Sequence, residues 1–313
     1  MRIVVLDDYQ GVAEGYADWA SLDAGVTFLR DPLPGADAVV EALAGADVVV
    51  AMRERTAFPA SLLERLPDLR LLVTTGRANA AIDLDAARAR GVAVCGTESP
   101  SSATPELTWG LILAVLRGIP QEDAGMRTGG WQTTVGGDLE GRRLGVVGLG
   151  RLGARVARVG AAFGMDVVAW SQNLDAARAA SEGVRAVSKR ELFATSDVVT
   201  LHYKLSARSR GLVGEAELAL MRPTAILVNT SRGPLVDTGA LLAALRAGRI
   251  HGAGLDVYDA EPLPSDHPLR TAPRTVLTPH LGYVTDGTYR VFYAQAVEAI
   301  SAWRAGAPVR RLA

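Results

Sequence analysis

Three short stretches each set an ionisable side chain just after an apolar run: Asn229-Thr230-Ser231-Arg232-Gly233-Pro234, Leu255-Asp256-Val257-Tyr258-Asp259-Ala260-Glu261-Pro262 and Thr278-Pro279-His280-Leu281-Gly282. Arg232, Glu261 and His280 are the side-chain types that hydride chemistry on a 2-oxo acid requires. Arginine meets a carboxylate with a planar two-pronged fork. Histidine titrates near neutral pH and can protonate the oxygen that becomes a hydroxyl, and a neighbouring carboxylate favours its charged form. Each residue alone has a plainer reading: a solvated loop arginine, a loop-capping glutamate, a satisfied loop histidine. The three together carry more weight than any one. Of the other histidines, His202 reads as a cofactor-contact or structural residue, and His251 and His267 as structural.

The trio needs a hydride source, and residues 144–170 offer a place for one. An apolar run ends in Gly148-Leu149-Gly150-Arg151-Leu152-Gly153 and opens a helix rich in Ala, Arg and Val. Gly148 allows a tight turn, Gly150 lets backbone approach a pyrophosphate, and Gly153 lets helix and strand close together. The helix start offers unpaired N–H groups to the anion. Sites selective for NAD place Asp or Glu about 20 residues further on. Here that strand ends in Ala169-Trp170-Ser171-Gln172-Asn173, with no carboxylate to repel a 2′-phosphate and no adjacent Arg or Lys to attract one. The cofactor expected is NAD or NADP, without firm preference.

These groups must be positioned by sheets. In the first hundred residues, strands at Ile3–Leu6, Asp47–Ala51, Arg70–Thr74 and Val92–Cys95 alternate with helices at Ala36–Ala44, Pro59–Leu66 and Leu84–Arg90, the last capped by Asp83. Such alternation means βαβ units and a parallel sheet. Their polar strand ends, 52–56 and 74–79, are candidates for reading a substrate. A break at residues 97–102 precedes a very apolar helix, Glu106–Arg117, with Thr104 and Pro105 as cap and first residue. Its apolar surface predicts burial from two sides, between domains, between subunits, or both. From Leu144 onward the alternation resumes, and six parallel strands are expected to complete a doubly wound sheet. The last helix, about Thr285 to Ala305, follows that sheet and should return to the first domain. The expected division is 1–98 plus 285–313, discontinuous, around an inserted 99–284.

Composition narrows the classes. Lys plus Arg number 33 against 34 Asp plus Glu in 313 residues, with no basic run to follow a phosphate backbone, so nucleic acid is not an expected partner. No stretch reaches the roughly 18 apolar residues of a membrane span, and the apolar N-terminal run breaks too early for a signal peptide, which predicts a cytoplasmic protein. Cys95 is the only cysteine, so neither an internal disulfide nor a thiolate metal site is expected.

The motifs at 148–153, 229–237 (Asn-Thr-Ser-Arg-Gly-Pro-Leu-Val-Asp), 254–262 and 278–282 together resemble the D-isomer-specific 2-hydroxyacid dehydrogenases, which include glyoxylate/hydroxypyruvate reductases and phosphoglycerate dehydrogenases. The resemblance implies an α/β fold of two parallel-sheet domains, a flavodoxin-like substrate domain and an inserted Rossmann nucleotide-binding domain, with substrate in the cleft between them. It makes Arg232 the carboxylate anchor, His280 the acid/base and Glu261 its partner. Asp256 would hold the nicotinamide amide, Thr108 and the 148–153 turn, Arg151 and Leu152 included, the phosphates, and Thr230 and His202 the ribose side. Ser171, Gln172, Asn173, Tyr203 and Gly282 complete the cofactor set; Arg53, Gly76, Arg77, Ala78 and Asn79 would meet the substrate. A homodimer is implied, and no metal. The chain departs from the family pattern at Tyr203-Lys204, where an apolar residue and proline are usual, and Lys204 is read as solvated. The rival readings are phosphoglycerate oxidation, with Arg53, Arg55 or Arg77 taking the phosphate, and a nucleotide-sensing corepressor-like protein.

Overall fold

The computed structural model describes residues 1–313, which divide into two compact units: Met1–Pro100 with Thr285–Ala313, and Ser101–Val284. In the first, β1 (Arg2–Val5), β2 (Gly25–Phe28), α1 (Gly35–Ala42), β3 (Val48–Ala51), α2 (Ala60–Leu63), β4 (Leu71–Thr74), α3 (Leu84–Ala89) and β5 (Ala93–Gly96) build a parallel sheet of order β2-β1-β3-β4-β5. This is the flavodoxin-like order, with its switch point between β1 and β3. β3 and β4 are buried along their whole length, which is why they read as continuous apolar runs. β2 was not expected from sequence: it is an edge strand, half exposed, reached through two 3-10 turns instead of a helix. Asp83 caps α3 as expected, accepting from the Ala86 N–H at 2.9 Å.

The second unit runs α4 (Ala103–Arg117), α5 (Ile119–Arg127), β6 (Arg143–Val147), α6 (Arg151–Ala162), β7 (Asp166–Trp170), α7 (Ala176–Ser181), β8 (Arg185–Ala186), α8 (Lys189–Thr195), β9 (Val198–Leu201), α9 (Glu215–Leu220), β10 (Ile226–Asn229), α10 (Thr238–Arg246), β11 (Gly252–Leu255) and β12 (Thr275–Leu277). Its parallel sheet has the order β12-β11-β10-β9-β6-β7-β8. That is the Rossmann order with a seventh strand added at one edge, where six were expected. The glycine turn leaves the carboxyl end of β6, at the point where the winding reverses.

α4 differs from expectation at its start. It begins at Ala103 after Ser102, so Thr104 is not the cap; the Thr104 hydroxyl donates to the Gly282 carbonyl at 2.7 Å. Pro105 then sits in the first turn, where no N–H is needed. The buried side of α4 lies on its own unit's sheet. A Cβ on Gly254 would stand 3.0 Å from Leu111 Cβ, and one on Gly252 would stand 3.0 Å from Val115 and 2.5 Å from the Arg274 carbonyl. α5 was also missed: it buries no residue, so no apolar stripe announces it. The last helix, α11 (Asp286–Arg304), belongs to the first unit; Thr285 caps it, and it packs on β4.

Candidate functional site

The glycine turn meets the steric demands of a dinucleotide cradle. Gly148 has φ +99°, and a Cβ there would lie 2.4 Å from the His202 carbonyl oxygen. A Cβ on Gly153 would lie 2.0 Å from the Gly148 carbonyl oxygen, so helix α6 can approach the turn only because residue 153 has no side chain. Gly150 is different: nothing lies within 4 Å of its missing Cβ. That open side is where a pyrophosphate can reach the first-turn N–H groups of α6, which no side chain caps. Arg151 is exposed and Leu152 half-buried at this helix start.

Beside the turn, the Ser171 hydroxyl accepts from the Leu149 N–H at 3.1 Å, fixing the end of β7 to the glycine loop. Gln172 and Asn173 are exposed. Tyr203 stacks on Trp170 with ring centres 5.9 Å apart, and its hydroxyl lies 3.4 Å from the Gln172 N–H. Burial pushes the His202 pKa down to about 4, leaving a neutral ring whose Nε2 is 3.0 Å from the Thr200 hydroxyl. The Thr108 and Thr230 hydroxyls are 2.8 Å apart and buried, joining α4 to the end of β10. Lys204 is exposed.

At the neighbouring strand ends the structure brings Glu261 and His280 together: Nδ1 of His280 is 2.5 Å from Glu261 Oε2. The other carboxylate oxygen accepts from the Tyr258 N–H at 2.8 Å. Burial opposes ionisation of Glu261, but the His280 bond, that N–H and the charge of Arg232 outweigh it and hold the carboxyl below its usual range. Arg232 is partly buried on the loop after β10, its Nη1 donating to the Ser231 carbonyl at 2.7 Å. Asp256 is fully enclosed. It accepts from the Thr278 hydroxyl (2.6 Å) and the N–H groups of Leu281 (2.7 Å) and Gly282 (2.8 Å). Burial raises its pKa, against the pull of those donors and of His280. Sequence reasoning gave Tyr258 no role, yet its hydroxyl donates toward the carbonyls of Leu255 and Thr278 and ties two of the three strand ends together.

In the first unit, Arg53 has φ +54°, and its carbonyl accepts from the Asn79 side chain at 2.5 Å. The same Asn79 amide reaches Thr74, and its oxygen accepts from the Ala81 N–H, so this side chain is occupied in shaping the loop. The Gly76 N–H goes to Thr97. The N–H groups of Arg77, Ala78 and Asn79 make no bond within the chain. A Cβ on Gly76 would meet the Arg53 guanidinium, so this cation lies against the Gly76 backbone. Asp7, unremarked in the sequence, is buried at the end of β1; burial raises its pKa, against bonds from Thr56 and Tyr9 and the charge of Arg55.

A family model for the NAD-binding domain of D-isomer-specific 2-hydroxyacid dehydrogenases matches residues 109–282. The chain belongs to this family. The glyoxylate reductase of Aeropyrum pernix is 38% identical over 255 residues, covering 78% of this chain and 76% of that protein. The D-3-phosphoglycerate dehydrogenase of Methanocaldococcus jannaschii is 38% identical over 252 residues, covering 79% of this chain. Only 48% of that dehydrogenase is covered, so the chain spans about half the length of such relatives. A phosphoglycerate oxidoreductase of Vibrio cholerae O395 has a similar solved structure, with TM-score 0.93 and 36% identity over 98% of this chain and 100% of the other. For a 2-hydroxyacid dehydrogenase the glycine turn and the Glu261–His280 pair belong to one sheet edge, as parallel strands require.

The neutral His202 makes a stability prediction. Its folded pKa of about 4 lies below the ordinary histidine value of 6.5, so the second unit keeps its full stability above pH 6.5 and loses it progressively as pH falls toward 4. Denaturant unfolding from pH 7 to 4 should show this slope, and His202→Gln should flatten it; an unchanged slope in the variant would exclude His202 as its source.

Proposed function

We propose that this family member reduces a small 2-oxo acid to the D-2-hydroxy acid with NADH, and that it also accepts NADPH. The observation that carries the reading is the 2.5 Å His280–Glu261 pair at the strand edge that bears the glycine turn. The open side of Gly150 and the uncapped start of α6 suit a pyrophosphate, with Gly148 and Gly153 shaping the turn, so the residues present fit a dinucleotide. The bound nicotinamide supplies the hydride.

The chain's own residues do the rest. Arg232 binds the substrate carboxylate through its planar fork. His280 hands a proton to the carbonyl oxygen, and Glu261, ionised and tied to the Tyr258 N–H, orients the ring. In oxidation the same imidazole takes the proton back. Thr108 serves the phosphates with the glycine turn, and Thr230 and His202 the ribose side. Ser171, Gln172 and Asn173 offer hydroxyl and amide groups to either ribose form, which supports use of both cofactors. Arg53 and the N–H groups of residues 77–79 serve the substrate from the first unit.

We also propose a homodimer formed through the second unit. α5 buries nothing, and Ile119, Met126, Trp131 and Val135 around it are exposed, Trp131 at 73%. Nearby in sequence, the Trp109 indole N–H is buried without a partner. An apolar surface of this extent calls for a cover, and a second copy packing the same face in return is the simplest.

His280→Ala should lower the turnover number by about 10²–10⁴ on whichever of glyoxylate, hydroxypyruvate or pyruvate is reduced fastest, with cofactor binding retained. Near wild-type turnover would overturn the acid/base role. Tight cofactor binding without turnover on any 2-oxo acid would favour a sensor instead. Dissociation constants for NADH and NADPH are expected within about a hundredfold, roughly 2.7 kcal/mol, by fluorescence titration; a wider gap would refute dual use. Sedimentation should give a dimer at micromolar concentration and a monomer for Trp131→Asp combined with Met126→Glu, whereas a wild-type monomer would remove the dimer.

A further inference from the structure

Three arginines stand on the loops after β3 and β4, at carboxyl ends where open α/β sheets receive ligands, and each has an acidic residue beside it. Arg77 directs two nitrogens onto Glu98 Oε2, the longer contact at 2.6 Å. Arg53 Nε lies 3.7 Å from Glu54 Oε2. Arg55 donates to the Asp7 carbonyl at 2.8 Å and lies 4.3 Å over the Tyr9 ring. The Asp7 carboxyl beside it is fixed by the hydroxyls of Thr56 (2.9 Å) and Tyr9 (3.2 Å). Arg53, Arg55 and Arg77 therefore face Glu54, Asp7 and Glu98, and the six formal charges cancel. What remains for an anion is a row of three N–H groups, at residues 77–79, with one guanidinium against Gly76. Such a concavity of backbone donors suits one carboxylate. A phosphate monoester adds about −1.5 to −2 at pH 7, and an environment without surplus positive charge repays little of its lost hydration.

We propose that these matched charges select 2-oxo acids bearing a single anionic group over phosphorylated ones, with Glu54 and Glu98 as the specificity-determining residues. The inference rests on the reading of the protein as a 2-oxo acid reductase and narrows its substrate class. The two glutamates touch no reacting atom. They act by cancelling the cations that a distal phosphate would need, so removing either should help the dianion more than the monoanion. Arg77 and Glu98 are substantially exposed, so solvent screening makes the Glu98 effect the smaller of the two.

The test compares hydroxypyruvate with its 3-phosphate, which differ only in the group at issue. Wild type should favour hydroxypyruvate by at least about tenfold in kcat/KM. Glu54→Gln should narrow that ratio by about tenfold, chiefly through a lower KM for the phosphate ester, and Glu98→Gln by less. The gain should shrink between 0.02 and about 0.3 M salt, as a charge effect must and a packing change need not. A wild-type preference for the phosphate ester, or variants that change both substrates alike, would overturn the inference and leave the reductase reading standing. Absence of turnover on every 2-oxo acid would instead remove that reading and this inference with it. Glu98→Gln, at an exposed site, keeps the test decisive if Glu54→Gln folds poorly.

Discussion

The candidate site of the second unit depends on one buried carboxylate. Asp256 follows β11 directly, has no exposed surface, and would be costly if unpaired. Its three donors all come from residues 278–282, so the strand end and the turn cannot separate without stranding the charge. His280 lies inside that clamp. Thr104 on α4 holds the Gly282 carbonyl, and Thr108, one turn on, meets Thr230 beside the Arg232 loop. The bonds form a connected path from the His280 turn to the Arg232 loop, and in a low-dielectric interior such networks fix geometry beyond the sum of their pairs. The role that family resemblance suggests for Asp256, holding the nicotinamide amide, thus shares the side chain with a structural one visible in the chain itself.

This division explains what could be read in the sequence. The glycine triplet, Arg232, Glu261 and His280 were legible because their chemistry fixes residue type and their positions follow from strands that announce themselves as apolar runs. The cap at Asp83 was legible because capping is local. The edge strand β2 and the helix α5 were not: one is half exposed, the other buries nothing, and periodicity registers only burial. Thr104 reads locally as a cap because Thr before Pro is a local signal, whereas its actual partner, Gly282, is 178 residues away. Likewise nothing near Asp7 in sequence points to Thr56, 49 residues on. Local rules find elements; side-chain pairs across the sheet edge need the fold.

Backbone conformation gives a further way to separate function from support. Asp7, Arg53 and His280 have φ of 59°, 54° and 54°, a region that costs a residue with a Cβ about 1–2 kcal/mol. All three stand at the carboxyl ends of parallel strands. Strain by itself is not a functional signal, because Arg274 and Arg310 adopt the same region. Those two spend their guanidinium groups on carbonyls of their own units, Arg274 on His251 and Leu245, Arg310 on Gly96 and Gln295, so their strain is offset by ordinary structural bonds. His280 makes a different exchange. Its ring reaches a carboxylate whose other oxygen is already held, and the turn that strains it is braced by Asp256 through neighbouring residues, not through the ring. Glycine at 280 would relieve the backbone and leave that brace intact, at the loss of the ring's bond to Glu261 and its edge contact with Tyr283. The strain thus aims an ionisable ring at a carboxylate on a strand end, the kind of outlier that supports the acid/base role proposed for His280.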